Sequence, residues 1–287
     1  MNYDFMIGGR WIHFDVPWTL GITKESEPFL FSANTGKKPD LTVSFSVVDV
    51  LTMPDHGGEW NIDAYYCPDN AGMKIWHCPV RGKAPYCCVI WRNDCHDHVT
   101  CLCVRGQENR IAYTGNLISL LGIEALFLHF DGIILHSSLV NWDGKGILFS
   151  APSGTGKSTQ ARLWEQYMCS STLNGDRAGI CKVNSIWTAW GIPFAGTSGI
   201  YRNESVPIRA IVLLRQAPEN TISRVRPMDA FKRLLPECNA RRWDTNFMDR
   251  LISILFSVIS EIPVYQLDCR PDQEAVTLLR DTLIKGE

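Results

Sequence analysis

Residues Ser150–Gln160 read "SAPSGTGKSTQ", and this stretch decides what kind of domain the chain builds. From Ala151 to Ser158 the spacing is A-x4-G-K-S, with Ala where a glycine commonly stands. "GILF" before it predicts a strand and "STQARLW" after it a helix, the context in which such a loop cradles phosphate. Gly154 and Gly156 let backbone N–H groups turn inward with no Cβ in the way, and the helix N-terminus adds partial positive charge. Ser153, Gly154, Thr155, Gly156, Lys157, Ser158 and Thr159 then form a nucleotide-binding loop, with Lys157 reaching the β and γ phosphates of ATP and Ser158 offering its hydroxyl to Mg²⁺. A chance Gly-rich turn would need neither the strand nor the helix.

Outward from the loop, "GIILHSSLV" and "GKGILFSA" predict a hairpin turning at "NWDG". Further on come a buried strand "RAIVLLRQA", a long amphipathic helix "NFMDRLISILFSVISEI", a strand "VYQLDC" and a closing helix "DQEAVTLLRDTLI". Such alternation predicts an α/β unit. Upstream, from Tyr3 to about Arg110, short apolar runs such as "LTVSFSVVDV", "YCCVIW" and "HVTCLCV" are broken by Gly, Pro, Asn and Asp, which predicts β-hairpins or a meander. The first sustained helical pattern is "GNLISLLGIEALFLHF", Gly115–Phe130, with Asn116 as its N-cap. The boundary therefore falls there: a β-rich domain over 1–114, available for substrate recognition, and a P-loop α/β domain over 115–287.

Composition narrows the class. The 287 residues are 45% hydrophobic, ample for buried cores, and the net charge of -2, with no basic run longer than two residues, argues against a nucleic-acid partner. "LISILFSVIS" (Leu251–Ser260) is too short to span a bilayer and the opening "MNYDFMIGGR" has no export-signal pattern, so a cytoplasmic chain with no membrane partner is expected. In that compartment most of the eleven cysteines read as reduced, buried thiols. "YCCVIWRNDCHDHVTCLCV", Tyr86–Val104, gathers Cys87, Cys88, Cys95, Cys101 and Cys103 beside His96 and His98, but it holds no C-x2-C pair, and Cys101 and Cys103 alternate at strand period.

The segment "HSSLVNWDGKGILFSAPSGTGKST", His136–Thr159, resembles the HPr kinase/phosphorylase family, where a His, a strand, a Gly-containing turn and a second strand precede the P-loop at this spacing. The resemblance runs from about Asn116 to Ile284. It implies the carboxykinase-like P-loop fold shared with ATP-dependent phosphoenolpyruvate carboxykinases. "LNGDRAGI" (Leu173–Ile180) sits where the family carries an acidic "DDR" segment, and "GIPFAGTSGIYRNESVPIRAIVLLRQAPEN" and "IPVYQLDCRPDQEAV" are similar to peptide-tailoring kinases of bacterial gene clusters. Thr159 replaces the acidic residue that follows the family's P-loop Ser, and Gly175 with Asp176 replaces its Asp pair, which implies a kinase working in one direction.

By the same resemblance the catalytic group is Asp176, His136 and Lys157: Asp176 as base or, with Ser158, as metal ligand, and His136 as an orienting hydrogen-bond donor. Arg202 is the candidate phosphate clamp, in competition with Arg177, Arg209 and Arg215. Trp187, Trp190 and Phe194 either line a substrate groove or belong to the core. The function implied is ATP- and Mg²⁺-dependent transfer of the γ-phosphate to a Ser or Thr hydroxyl of a peptide or small protein. The alternatives are a small-molecule kinase acting on an amino acid or sugar, and a non-catalytic nucleotide-binding regulator.

Overall fold

A computed structural model describes residues 1–33, 36–52, 59–61, 64–69, 72–77, 87–93, 97–194 and 196–286. The chain is mixed α/β and divides into two compact units, Met1–Gly122 and Ile123–Glu287.

Among the described residues the first unit carries strands β1 (Asn2–Ile7), β2 (Arg10–Asp15), β3 (Leu41–Val48), β4 (Glu59–Asn61), β5 (Ala64–Asp69), β6 (Gly72–His77), β7 (Cys88–Arg92) and β8 (His98–Val104), followed by helix α1 (Thr114–Leu120). They form one sheet in the order β1-β2-β3-β8-β7-β6-β5-β4. Hairpin neighbours such as β1–β2, β5–β6 and β7–β8 are antiparallel as expected, but the sheet is no simple meander, because β3 lies parallel to both β2 and β8. Parallel neighbours need long crossovers, and the segments joining β2 to β3 and β3 to β8 supply the length. Along β8, burial alternates strictly, so Val99, Cys101 and Cys103 face the core, where Cys87 and Cys88 also lie.

The helical stretch expected over Gly115–Phe130 is two helices. α1 belongs to the first unit, and α2 (Ile123–His129) opens the second. Asn116 is not a cap: Tyr113 precedes α1, and the Asn116 amide donates to the Arg110 carbonyl at 3.2 Å.

The second unit continues with β9 (Ile133–Trp142), β10 (Lys145–Ser150), α3 (Lys157–Met168), β11 (Ser171–Asn174), β12 (Arg177–Val183), β13 (Ile186–Gly191), β14 (Ser205–Gln216), β15 (Thr221–Arg224), α4 (Pro227–Leu234), α5 (Thr245–Glu261), β16 (Val264–Cys269) and α6 (Gln273–Lys285). β14 runs parallel to β10 on one side and β16 on the other. Its unbroken buried run Ala210–Leu214 is what a strand covered on both faces needs. One core cluster takes in the buried stripe of α5, Phe247, Leu251, Ile254, Leu255, Val258 and Ile259. A second holds Phe149, Trp164, Val212, Leu267 and the apolar face of α6. Trp164 is fully buried there, edge-on to Trp142 at 5.1 Å. Side chains cap both long helices: Asp244 accepts from the Phe247 N–H and Asp272 from the Ala275 N–H, each at 3.0 Å.

Candidate functional site

Register brings the site together. Asp143 and Gly144 both hold left-handed φ (52° and 70°), giving the two-residue turn that sets Trp142 opposite Lys145. Counting back along the pair puts Ser137 opposite Ser150, where the P-loop begins. On the other edge of β9, Arg177 pairs with His136. The stretch His136–Ser137 is therefore flanked by the P-loop on one side and by Asp176 on the other. Two hydrogen bonds tie the three strands at this point: Ser150 Oγ donates to the His136 carbonyl at 3.0 Å, and the Ser137 N–H donates to the Asp176 carbonyl at 3.0 Å.

The loop itself has the form its spacing predicts. Gly154 and Gly156 hold positive φ (79° and 116°), and a Cβ at either would project into open space. α3 starts at Lys157 with no side-chain cap on its first turn, which leaves its leading N–H groups for an anionic partner. Ser153 and Ser158 are exposed, and Thr155 and Thr159 half-buried. Lys157 is 7% exposed, with Nζ donating to the Ala151 carbonyl at 2.7 Å and reaching that of Pro152 at 3.4 Å. Burial lowers its ammonium from the ordinary value, and the negative charges of Glu237 and Asp176 oppose that shift.

Asp176 follows a bend braced by Asn174, whose Oδ1 accepts from the N–H groups of Asp176 (2.9 Å) and Arg177 (3.0 Å) while its Nδ2 donates to the Ile192 carbonyl at 2.8 Å. The Asp176 carboxylate lies 3.5 Å from His136 Nε2 and 3.4 Å from Arg177 Nε. Contact with His136 is the main reason its carboxyl sits below the ordinary range; burial pushes the other way, and Arg177 and Lys157 add charges that lower it. Gly175 has a steric reason of its own: a Cβ there would come within 2.1 Å of Ser198 Oγ. The position that would hold the first acid of a pair is instead where Ser198 packs.

Lys157, His136 and Asp176 are thus brought to one place, together with the P-loop residues Ser153–Thr159. Arg202 is not: it is half exposed, its guanidinium lies 3.9 Å from Glu204, and it makes no contact with that group among the described residues. Its backbone is tied to the Leu173 carbonyl through its N–H, while its side chain turns to Glu204. Arg177 stands beside Asp176 in its place, stacked on Phe194 at 5.6 Å. Trp187 belongs to the core at 4% exposure, under the Lys182 ammonium, and Trp190 is half-buried. Glu237 was missed by sequence reasoning: its Oε2 lies 2.8 Å from His136 Nδ1, and no motif surrounds "LPEC".

In the Cys/His patch, Cys95 and His96 lie outside the described residues. Cys87, Cys88, Cys101 and Cys103 are buried thiols, and burial pushes Cys103 up to about 12. Among the described residues no group of three or more His, Cys, Asp or Glu is arranged to hold a metal ion, and no helix is long and apolar enough to cross a membrane.

The chain therefore carries a strand–glycine loop–helix unit with His136 on the adjoining strand and Asp176 in the bend before β12. A family model described as "SynChlorMet cassette protein ScmC" matches residues 99–270, more than half of the chain, and the chain belongs to that family. The HPr(Ser) kinase/phosphatase from Coxiella burnetii is similar at 13% identity and a TM-score of 0.30, over 53% of this chain and 88% of that one. A TM-score of that size does not establish a shared fold. No curated protein matches the chain.

Proposed function

We propose that this protein is an ATP- and Mg²⁺-dependent kinase that transfers the γ-phosphate to a Ser or Thr hydroxyl of a peptide or small protein. The observation that carries the reading is the convergence of the buried Lys157 with Asp176 and His136 at the mouth of the P-loop. Phosphoryl transfer requires the γ-phosphate held in line with an acceptor oxygen, its charge neutralised, and a group to take the acceptor's proton. Lys157 would exchange the Ala151 carbonyl for phosphate oxygens, and the uncapped turn of α3 would add its N–H groups. The residues fit a metal as well as phosphate, since Ser158 offers an exposed hydroxyl oxygen and Asp176 an ionised carboxylate; Mg²⁺ held there would supply charge neutralisation. Where Asp176 does not serve as that metal ligand, its carboxylate, held below the ordinary range, is the alternative group to receive the acceptor's proton. Membership of a cassette family supports an acceptor encoded beside this chain, and the β-rich first unit is its candidate recognition domain.

The test is mass spectrometry of small cassette-encoded peptides after incubation with ATP, Mg²⁺ and the protein. One added phosphate, at a Ser or Thr, is the expected product. Lys157→Ala should slow transfer by about a hundredfold or more, ~3 kcal/mol, because one electrostatic clamp on the transition state is lost. ADP formation at the wild-type rate by the Lys157→Ala protein would overturn the assignment.

A further inference from the structure

We propose that Glu237 is a positioning residue for the site: it fixes the ring of His136 so that Nε2 is presented to Asp176. The inference rests on the kinase reading for its catalytic consequence, but its structural part stands independently.

Glu237 closes the short turn Leu235–Glu237 that follows α4, a hundred residues downstream of the histidine. That turn is stitched to β9 just ahead of His136. The Asn239 N–H donates to the Ile134 carbonyl at 2.9 Å, and Leu135 and Cys238 form an antiparallel bridge. Cys238 is 5% exposed and packs in the core cluster that includes α5, so the anchor is apolar as well as hydrogen-bonded. This stitching delivers the Glu237 carboxylate, its side chain 13% exposed, to 2.8 Å from His136 Nδ1.

A carboxylate can only accept, so Glu237 takes the Nδ1–H, and that contact holds the ring with Nε2 toward Asp176 at 3.5 Å. Without Glu237 the imidazole could rotate about its side-chain bonds, and the 3.5 Å approach of Nε2 to the Asp176 carboxylate would be lost. An isolated structural ion pair would have no such second partner. Here the same imidazole touches Glu237 on one side and, on the other, the carboxylate next to the P-loop.

The experiment uses the full chain as wild type, Glu237→Gln and Glu237→Ala. Glutamine keeps an acceptor of the same shape and loses the charge; alanine removes both. ¹⁵N-histidine NMR reads the His136 ring, with its signals assigned by their loss in His136→Gln. Transfer to a cassette peptide gives kcat and KM, and ATP affinity shows that each variant is folded. The expected result is a downfield Nδ1–H signal in wild type that is lost in Glu237→Ala. Its kcat should fall about 10- to 100-fold, the scale seen for an outer partner of a working histidine, with KM for ATP within about twofold. Glu237→Gln should fall between the two. A Glu237→Ala protein that binds ATP normally and keeps wild-type kcat and the wild-type Nδ1 signal overturns the proposal. If the wild type transfers no phosphate to any acceptor yet the Nδ1 signal depends on Glu237, the positioning stands and the kinase reading fails.

Discussion

Two regions of this chain look equally reactive on paper. One is the thiol-rich pair β7 and β8; the other is the mouth of the P-loop. In the first, Cys101 and Cys103 follow the two-residue period of β8 and Cys88 is buried opposite Cys103, so they act as small apolar side chains. In the second, the polar groups come from four separate segments: a buried ammonium, Lys157, faces the partly exposed carboxylates of Asp176 and Glu237, with the His136 ring between those two. The difference teaches that residue type is a poor guide by itself. Convergence of charged groups at the end of neighbouring strands, at a cost in burial, is the better sign of chemistry.

Three measurements would break or sharpen this contrast beyond those already described. The largest effect is expected behind the loop. Trp164→Ala should destabilise the second unit by about 3–5 kcal/mol in urea unfolding, because the side chain is fully buried against Trp142 and Phe149. A loss under 1 kcal/mol would mean that the loop is not braced by this core.

Smaller is the effect of Asp272, a carboxylate with a purely structural task. Asp272→Ala should cost about 1 kcal/mol through the lost cap on α6 and leave phosphate transfer unchanged. Its carboxyl is held below the ordinary range, first by Arg270 and then by the Ala275 N–H. Between that depressed value and the ordinary carboxylate value the unfolded chain binds more protons, so stability rises with pH there. The contribution is complete above the ordinary value and lost as pH falls through the folded one. Unfolding curves at neutral and acid pH should show the variant's deficit shrinking on acidification; a constant deficit would argue against the ionised cap.

The smallest effect is one of rate alone. Brief alkylation followed by peptide mapping should label Cys169, the exposed thiol, well before Cys87, Cys88, Cys101, Cys103, Cys181, Cys238 and Cys269. Burial raises Cys238 to about 12 as it does Cys103, which slows both further. Labelling of Cys101 or Cys103 at the pace of Cys169 would show that the thiol strands open, and would weaken the contrast between the two regions.

How much of this was legible beforehand follows the reach of each interaction. The P-loop, its flanking strand and helix, and the β9–β10 turn are written in adjacent residues, so "NWDG" and "GTGKST" could be read directly. Asp176 was reachable only through the resemblance, by its place in "LNGDRAGI"; the local sequence shows no more than the turn that Asn174 braces. Glu237 was not, since it reaches His136 through tertiary contacts alone, the bridge between Leu135 and Cys238 and the Asn239 N–H bond to the Ile134 carbonyl. The parallel placement of β3 between β2 and β8 was hidden for the same reason: alternation shows that a strand exists and which face is apolar, while its neighbour is chosen by the rest of the sheet. Asn116 failed as a cap because the helix begins at Thr114, and a good capping residue is no help inside the first turn.

The parallel pairing of β10 with β14 carries a consequence for the order in which this protein can be made. A ribosome delivers the phosphate loop some fifty residues before it delivers Ala210–Leu213, the backbone that pins the strand feeding that loop. Until then β10 has its hairpin partner β9 and an unpaired outer edge. The nascent chain therefore owns every residue of its signature motif well before it owns a rigid one, and the loop should become ordered abruptly, late in synthesis, rather than when the motif emerges.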